Sequence, residues 1–266
     1  MARAKRHYLP GLIWHITHRC HKREFLFRFN RDKRAWCRWI LAAKQTYGLC
    51  ILNYIITSNH IHLLIMDRIT AEDPGFQPIP KSLHLAEARV AQEYNIRKCR
   101  SGAFWEDRYH ATAVETGDHL IHCLAYIDLN MVRAKVVEHP GEWPFSGYYE
   151  LQQPRQRWRN QLVDWRELLA LFGMRDIQHL RTARREWVEE GSRLRALKRD
   201  PRWTESVAVG SKDYVEGIMK RLGGKAKGRD VRGEGGTYAL QENGKAYLRA
   251  FGGEIKEIRP KNGLKK

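Results

Sequence analysis

The sequence predicts an α+β fold whose elements follow the order βαββαβα over residues 1–150. Runs of β-prone residues alternate with segments of helical spacing, and two of these runs are joined by only two residues, as in an antiparallel hairpin. This order predicts a central, largely antiparallel sheet with helices packed on it. A mainly helical and strongly basic region is expected to follow.

The first four elements are predicted from apolar spacing and from signals at their ends. Residues 12–19 are rich in Ile, Trp and Thr, which is typical of a strand. Asn30 can cap a helix that Gly48 ends, because apolar residues between them recur every three or four positions. The apolar runs 49–57 and 60–66 then form the predicted hairpin.

The next three elements complete the predicted domain. Residues 67–80 contain Asp73-Pro74-Gly75 and two further prolines, so a loop is expected there. Helical spacing returns over residues 81–95, and a strand is predicted over residues 109–115. A last helix is expected to begin near Asp118 and to end between residues 130 and 132.

The second part of the chain is predicted to be mostly helical, with helices over residues 165–172, 177–197 and 211–222. Residues 223–236 hold six glycines and several charges, which favours a flexible linker or loop. The lysine-rich end, residues 261–266, is expected to be disordered. The predicted organisation is therefore a first domain, a helical basic region and a flexible basic tail, at residues 1–150, 151–222 and 223–266.

Charge indicates the kind of partner. The 266 residues include 48 Lys and Arg against 30 Asp and Glu, a net charge of +18, of which +12 lies beyond residue 150. This excess predicts an anionic partner. No apolar run is long enough for a membrane span and no secretory signal is evident, so a cytosolic protein is expected. The five cysteines show no C-x-x-C spacing, which argues against a disulfide framework or a four-thiolate zinc site.

His60 and His62 lie two residues apart in a predicted strand, so both imidazoles should project from the same face of the sheet. Two ring nitrogens on one face can bind one metal ion. The spacing alone, however, favours the simpler interpretation of two half-buried histidines in a strand.

The helix that begins near Asp118 gives independent evidence. At 100° per residue its apolar side chains form one core-facing stripe, while Tyr126 and Asn130 fall on the opposite side with His119 and His122. Tyr126 is then either an ordinary exposed aromatic or a phenol that faces a cleft. Two imidazoles and an amide oxygen would leave a divalent ion its full charge, which suits a Lewis acid for a phosphodiester beside a phenol nucleophile.

The strand motif Asn-His-Ile-His-Leu-Leu at residues 59–64 and the helix motif at residues 126–134 resemble those of the HUH single-tyrosine transposases, specifically the REP-associated tyrosine transposases. Met131 stands where that family usually has proline. The matches span about residues 8 to 150 and include, in addition, His15, Thr17, Arg19, Phe104, Trp105, Arg108, Tyr109 and the run from Trp143 to Tyr148.

The resemblance implies a ferredoxin-like, HUH-type domain that cleaves and rejoins single-stranded DNA near hairpins of REP type. It implies that His60 and His62 bind Mg²⁺ or Mn²⁺, with Asn130 as the third ligand. Tyr126 would attack the scissile phosphorus and form a 5′-phosphotyrosine intermediate. A monomer or homodimer in the bacterial cytoplasm, associated with the nucleoid, is the corresponding expectation.

Basic and aromatic residues are expected to hold the DNA strand, because phosphate contacts supply affinity and rings can stack on unpaired bases. In the first part these are the N-terminal arm with Arg3, Lys5 and Arg6, together with Arg19, Lys22, Arg23, Arg97, Lys98, Arg100, Trp105, Arg108 and Arg133. A second DNA-contacting module is favoured by the excess of basic over acidic residues beyond residue 150, with the candidates Arg155, Arg157, Trp158, Arg159, Arg181, Arg184, Arg185, Arg193, Arg195, Lys198 and Arg199. The alternative is an amphipathic helix that packs Leu180, Trp187 and Leu194 on the first domain and leaves its charges in solvent.

Other functions remain open at this point. A domesticated, non-catalytic protein with the same fold would bind hairpin DNA or RNA without cleaving it. A zinc nucleobase deaminase is disfavoured because no Pro-Cys-x-x-Cys follows the histidine pair. Many replication initiators and relaxases use two tyrosines on the nucleophile helix, whereas Tyr126 is the single tyrosine between Asp118 and Arg133.

Overall fold

The computed structural model describes residues 8–68, 77–153, 161–193 and 199–243. Several sequence-based expectations fall outside these residues: the N-terminal arm, the Asp73-Pro74-Gly75 loop, the tail after residue 243, and Arg155, Arg157, Trp158, Arg159, Arg195 and Lys198.

The predicted order βαββαβα is confirmed in the first part of the chain. Its elements are β1 (Ile13–Arg19), α1 (Asn30–Tyr47), β2 (Cys50–Ile56), β3 (His60–Met66), α2 (Pro78–Arg97), β4 (His110–Val114) and α3 (Asp118–Asp128). In the centre of the sheet β1 pairs antiparallel with both β3 and β4, and β2 pairs antiparallel with β3. The α+β class with a mainly antiparallel sheet is therefore correct.

Local signals explain the ends of these elements. Gly48 adopts a left-handed conformation with φ of 69° and ends α1, as glycine commonly does at a helix C-terminus. On β3, Ile61, Leu63 and Ile65 are fully buried and form the hydrophobic face of the strand. Leu64 on the opposite face is also fully buried, so the apolar run that predicted β3 reflects a strand buried on both sides.

The helix that carries Tyr126 ends earlier than the sequence suggested. α3 ends at Asp128, Leu129 follows with φ of −79° and ψ of 5°, and a separate short helix, α4, spans Asn130–Arg133. The break occurs although Met131 occupies the position where proline is usual in the resembled family. Leu129, at the break, is fully buried.

Residues 223–236 are not a flexible linker, so this prediction was wrong. They contain a 3₁₀ turn and β6 (Arg229–Glu234), which forms a hairpin with β7 (Thr237–Glu242). The turn between the strands uses Gly235 and Gly236 at φ of 61° and 83°. Such angles are those of a tight hairpin turn, so these glycines shape a turn that sequence composition alone does not distinguish from a linker.

The hairpin also extends the sheet of the first part. β5 (Ala208–Gly210) pairs parallel with β4 and antiparallel with β7. One seven-stranded sheet results, in the order β2-β3-β1-β4-β5-β7-β6. The expectation of a mainly helical region after residue 150 therefore missed three strands.

The remaining elements are helices, close to the bounds predicted for the longer ones: α5 (Gly147–Gln152), α6 (Trp165–Phe172), α7 (Ile177–Arg193), α8 (Arg202–Glu205) and α9 (Lys212–Leu222). Within the described ranges, no helix combines the length and apolar character needed to cross a membrane. All five cysteines lie in these ranges and none forms a disulfide.

Two arginines of α7 hold the second part of the chain to the first. The Arg184 guanidinium donates to Asp128 at 2.5 Å, and both side chains are 1% exposed. Arg181 is 8% exposed and donates through Nε to the carbonyl of Leu151 at 2.6 Å. Assignment of these two arginines to a DNA-contacting module was wrong, because their charged groups are buried against α3 and α5.

Removal of the Arg184 guanidinium should destabilise the fold, because it leaves the Asp128 carboxylate buried without its counter-ion. Arg184→Leu is expected to lower the free energy of unfolding by about 3–5 kcal/mol in urea denaturation. Arg185→Leu removes the same charge from the exposed side of α7 and should change it by less than about 0.5 kcal/mol. Equal effects of the two substitutions would contradict a stabilising role for the buried pair.

Candidate active site

A cavity of about 690 Å³ lies where the ends of β1 and β3 meet the junction of α3 and α4. Both parts of the chain contribute to its wall. Its lining includes Arg19, His60, His62, Arg108, His110, Tyr126, Asn130, Arg133, Arg199, Thr204 and Glu205.

β3 supplies the two histidines on one face, as predicted from their spacing. In the β1–β3 register His60 lies opposite Arg19 and His62 opposite Thr17. The centroids of the two imidazoles are 5.0 Å apart and their planes are nearly perpendicular, at 76°. The rings therefore converge on the same volume of the cavity.

Hydrogen bonds orient the His60 ring through Nδ1. This nitrogen lies 2.8 Å from Asn59 Oδ1 and 2.9 Å from Thr57 Oγ1. The Asn59 amide is itself fixed, because its Nδ2 donates to the carbonyl of Arg23 at 3.2 Å. Since Asn59 Oδ1 is an acceptor, Nδ1 of His60 carries the proton and Nε2 keeps its lone pair.

His62 makes a hydrogen bond through each ring nitrogen. Nδ1 lies 2.9 Å from Nε2 of His15 on β1, and Asn130 Nδ2 lies 3.0 Å from Nε2 of His62. The second nitrogen of His15, Nδ1, lies 2.9 Å from the carbonyl oxygen of Trp203. Asn130 is thus brought to the histidine pair, as expected for residues that act together.

Tyr126 is neither exposed nor on the surface side of α3. Its ring is 7% exposed and meets the rings of His15 and His62 edge-on, at centroid distances of 6.2 and 6.1 Å. The Arg133 guanidinium lies over the Tyr126 ring, with Cζ 4.0 Å from the centroid. Of the two alternatives from the sequence, a phenol facing a cleft is the correct one.

Burial sets the protonation state of the site. It lowers the pKa of His60 to about 4, with a further contribution from the charges of Arg19, Arg133 and Arg199, and it lowers the pKa of His62 well below its ordinary value. Burial also raises the pKa of Tyr126, while the positive charge of Arg133 acts in the opposite direction. At neutral pH the histidines are therefore neutral and can act as lone-pair donors.

The described residues contain no group of three or more His, Cys, Asp or Glu side chains that could hold a metal ion. The convergent donors are instead two imidazoles and one amide. These are nitrogen and oxygen ligands of a kind that binds divalent ions, with the orienting hydrogen bonds on the outer ring nitrogens that metal-binding histidines usually have. The residues present therefore fit a divalent ion, held by His60, His62 and Asn130.

The segment that carries most of this site matches a known protein family. The family model described as "Transposase IS200 like" matches residues 9–130, which include both histidines, Tyr126 and Asn130. Residues 9–130, slightly less than half of the chain, are thus similar to the IS200-like transposase family. A search of curated proteins found no match to the chain.

Two solved structures are similar to this chain. One is described as a REP-associated tyrosine transposase bound to a REP hairpin, with 18% identity and a TM-score of 0.44, over 56% of this chain and 84% of that one. The other is a putative transposase from Deinococcus radiodurans R1, with 14% identity and a TM-score of 0.31, over 44% of this chain and 88% of that one.

The residues expected to hold DNA occupy different positions in the structure. Arg19, Arg108 and Arg133 line the cavity, whereas Lys22, Arg23 and Lys98 are exposed outside it. Arg97 pairs with Asp32, and Arg100 lies 3.7 Å from Glu24. Trp105 stacks on His18 at a centroid distance of 4.2 Å and donates to the carbonyl of Glu87, so its ring serves packing.

Sequence reasoning did not assign a role to several residues of the site. His15 was noted in the family resemblance, but nothing in the sequence indicated its contact with His62. Trp203, Thr204 and Glu205 lie about 70 residues beyond the matched region, and of this segment only Arg199 was predicted to contact DNA. Outside the cavity, exposed Phe29 beneath the Lys98 ammonium was also missed, because exposure of an aromatic is not readable from a short loop.

The neutral buried histidines should make stability fall with acid in the metal-free protein. The unfolded chain takes up protons near pH 6.5, while burial lowers the pKa of His15 to about 3 and of His60 to about 4 in the fold. The unfolded state therefore binds more protons as the pH falls from 7 to 5. Each buried neutral histidine should cost about 1–2 kcal/mol of unfolding free energy over this interval.

Chemical denaturation in the presence of a chelator measures this dependence. His62→Gln should show a shallower loss of stability between pH 7 and pH 5 than the wild type. His122→Gln removes an exposed histidine of α3 and should follow the wild-type curve. An unchanged slope for His62→Gln would show that this histidine is not held neutral by the fold.

Proposed function

We propose that this transposase is a divalent-metal-dependent enzyme that cleaves and rejoins single-stranded DNA next to a hairpin of REP type. The observation that carries the proposal is the convergence of His60, His62, Asn130 and Tyr126 on one cavity. The match of residues 9–130 to the IS200-like transposase model supports DNA strand exchange as the reaction class. The hairpin target rests on the resemblance of the sequence motifs to REP-associated tyrosine transposases.

Tyr126 is the proposed nucleophile. Its hydroxyl oxygen forms a bond to the scissile phosphorus, the bond from phosphorus to the 3′ oxygen breaks, and the 5′ end stays attached to the tyrosine. The leaving 3′ oxygen takes up a proton and becomes a free 3′-OH. Attack by a 3′-OH on the phosphotyrosine reverses these steps, so no external energy source is needed for strand joining.

His60, His62 and Asn130 are the proposed ligands of Mg²⁺ or Mn²⁺. When bound, the ion supplies Lewis-acid polarisation of the scissile phosphate. The histidines would contribute Nε2 lone pairs fixed by hydrogen bonds at Nδ1. Asn130 would contribute its amide oxygen in place of the Nδ2 that lies 3.0 Å from His62 Nε2 in the metal-free structure. Neutral ligands preserve the positive charge of the ion, which favours attack by a phenol whose pKa is raised by burial.

Arg133 is the proposed partner of the phosphate and of the Tyr126 oxygen. Both terminal nitrogens of its guanidinium are buried and, in the described part of the chain, lack a hydrogen-bond acceptor. A buried cation without an acceptor is costly, and an anionic phosphate entering the cavity would satisfy it. The same charge lowers the pKa of Tyr126 against the effect of burial, so it favours the phenolate.

The approach of DNA to the cavity is favoured by charge. Arg19, Arg108 and Arg199 line it, and the whole chain carries a net charge of +18. Phosphate contacts of this kind give binding that weakens steeply with salt. Lys22, Arg23 and Lys98 are exposed outside the cavity, and we propose that they bind the flanking DNA strand.

The reaction is tested with an end-labelled single-stranded hairpin taken from beside the encoding gene, in Mn²⁺ or Mg²⁺. The wild type should cleave it and form a covalent protein–DNA product that survives denaturation. Tyr126→Phe should abolish the covalent product because it lacks the attacking oxygen, and His62→Ala should lower cleavage at least 100-fold. Tyr149→Phe removes a hydroxyl outside the cavity and should leave both unchanged.

Two outcomes would count against the proposal. A covalent product from Tyr126→Phe equal to that of the wild type would rule out this nucleophile. Tight hairpin binding without cleavage in any divalent metal would favour the alternative of a domesticated, non-catalytic hairpin-binding protein.

Arg133→Gln should lower the single-turnover rate of cleavage about 10²–10³-fold, because the substitution removes a positive charge at the developing negative charge. Hairpin affinity should fall much less, since the other arginines still bind the strand. Lys135→Gln makes the same change of charge two residues away, on an exposed side chain, and serves as the matched control. Equal loss of rate for the two variants would remove Arg133 from the reaction.

A further inference from the structure

We infer that the backbone carbonyl of Trp203 fixes the tautomer of His62 through His15, so that the second part of the chain prepares a metal ligand of the first. The inference rests on the proposed function in one respect, the role of His62 as a ligand. The hydrogen-bonded chain from Trp203 through His15 to His62 carries it.

The first link determines the proton on His15. A carbonyl oxygen can only accept hydrogen bonds, so the nitrogen 2.9 Å from the Trp203 oxygen, His15 Nδ1, must be the donor. His15 is 0% exposed, and a neutral imidazole carries a single ring proton. Nε2 of His15 is therefore an acceptor.

The second link passes this constraint to His62. His15 Nε2 accepts a hydrogen bond, so the nitrogen 2.9 Å away, His62 Nδ1, must carry the proton. The two ring planes differ by 15° with centroids 5.1 Å apart, the arrangement of two rings that meet edge to edge. Nε2 of His62 is left with its lone pair towards Asn130 and the cavity.

The segment that carries the accepting Trp203 carbonyl is itself held in place by the sheet. His110 Nε2 and Thr112 Oγ1 donate to the carbonyl of Ser206 at 2.9 and 2.7 Å, and Ala113 N donates to the carbonyl of Val207 at 2.8 Å. Trp203, three residues earlier, is 5% exposed. The segment is thus anchored to β4 just before β5 joins the sheet, which fixes the position of the Trp203 oxygen relative to β1.

The consequence concerns metal binding. An imidazole can bind a metal ion only through an unprotonated nitrogen. Without an acceptor at Nδ1, the proton of His62 is free to occupy Nε2, the nitrogen that faces the cavity. His60 receives the equivalent constraint from Asn59 within its own hairpin, whereas His62 depends on a residue more than 140 positions away in the sequence. His15 is therefore a positioning residue.

The wild-type tautomer can be read directly from the full-length protein in the absence of metal. Two-bond ¹⁵N–¹H correlation spectra of ¹⁵N-histidine-labelled protein distinguish a protonated from an unprotonated ring nitrogen, and the signals lost in His62→Gln identify His62. We expect a protonated Nδ1 and an unprotonated Nε2 for both His15 and His62. A protonated Nε2 on His62 would overturn the inference whether or not the protein binds metal or cleaves DNA.

Two substitutions at His15 test its effect on metal binding. His15→Leu removes the acceptor and should weaken the binding of Mn²⁺, measured by calorimetry, about 10–100-fold. His15→Gln keeps one donor for the Trp203 carbonyl and one acceptor for His62, so it should recover most of the affinity and the Nδ1-protonated tautomer.

The outcomes separate this inference from the proposed function. If the wild type does not bind Mn²⁺, the proposed function fails, while the ring spectra still decide the tautomer. If His15→Leu is folded and leaves both the His62 tautomer and the Mn²⁺ affinity unchanged, the inference fails. If His15→Leu does not fold, the wild-type spectrum and the Mn²⁺ affinity of His15→Gln remain decisive. A 10-fold loss of Mn²⁺ affinity in His15→Gln, together with a proton on Nε2 of His62, would contradict the role of residue 15 as a donor to Trp203 and an acceptor from His62.

Discussion

The antiparallel pairing of β1 with β3 is the constraint on which the site depends. Its register places Thr17 opposite His62 and Arg19 opposite His60, so that one face of two strands carries a basic and imidazole cluster. Because side chains alternate along a strand, a shift of one residue would turn these groups into the face now formed by Ile61, Leu63 and Ile65. The burial of that apolar face therefore stabilises both the register and the position of the histidines in the cavity.

The second part of the chain helps to hold α3, the helix that carries Tyr126, on this sheet. Arg184 on α7 binds Asp128 in the last turn of α3, two residues from Tyr126, and Asn53 of β2 donates to the same carboxylate at 2.9 Å. A buried charge with two donors accepts few alternative positions. The family match ends at residue 130, yet the orientation of its final helix is held by residues far beyond that boundary.

Local patterns in the sequence were sufficient to predict the first seven elements and the shared strand face of His60 and His62, because strand alternation and helix spacing are local properties. The environment of Tyr126 was not predictable in this way. Its polar side of α3 is covered by Trp203, whose ring centroid lies 6.2 Å away, and no local signal reports so distant a contact. The prediction of a linker at residues 223–236 failed for a related reason. A glycine-rich turn and a glycine-rich linker have the same composition, and only the pairing of β6 with β7 distinguishes them.

Charge has a divided role in this protein. Part of the excess in the second half of the chain is structural, since Arg181 and Arg184 are buried. At the cavity, Arg199 pairs with Glu205 at 2.6 Å and Arg19 lies 3.8 Å from Glu106, and all four side chains are more than a third exposed. Exposed pairs of this kind contribute about 0–1 kcal/mol, so a DNA phosphate can replace either carboxylate at little cost. Under the proposed function, Arg19 and Arg199 bind the DNA strand along its path to the cavity. Arg133, whose terminal nitrogens are buried, binds the phosphate that reacts.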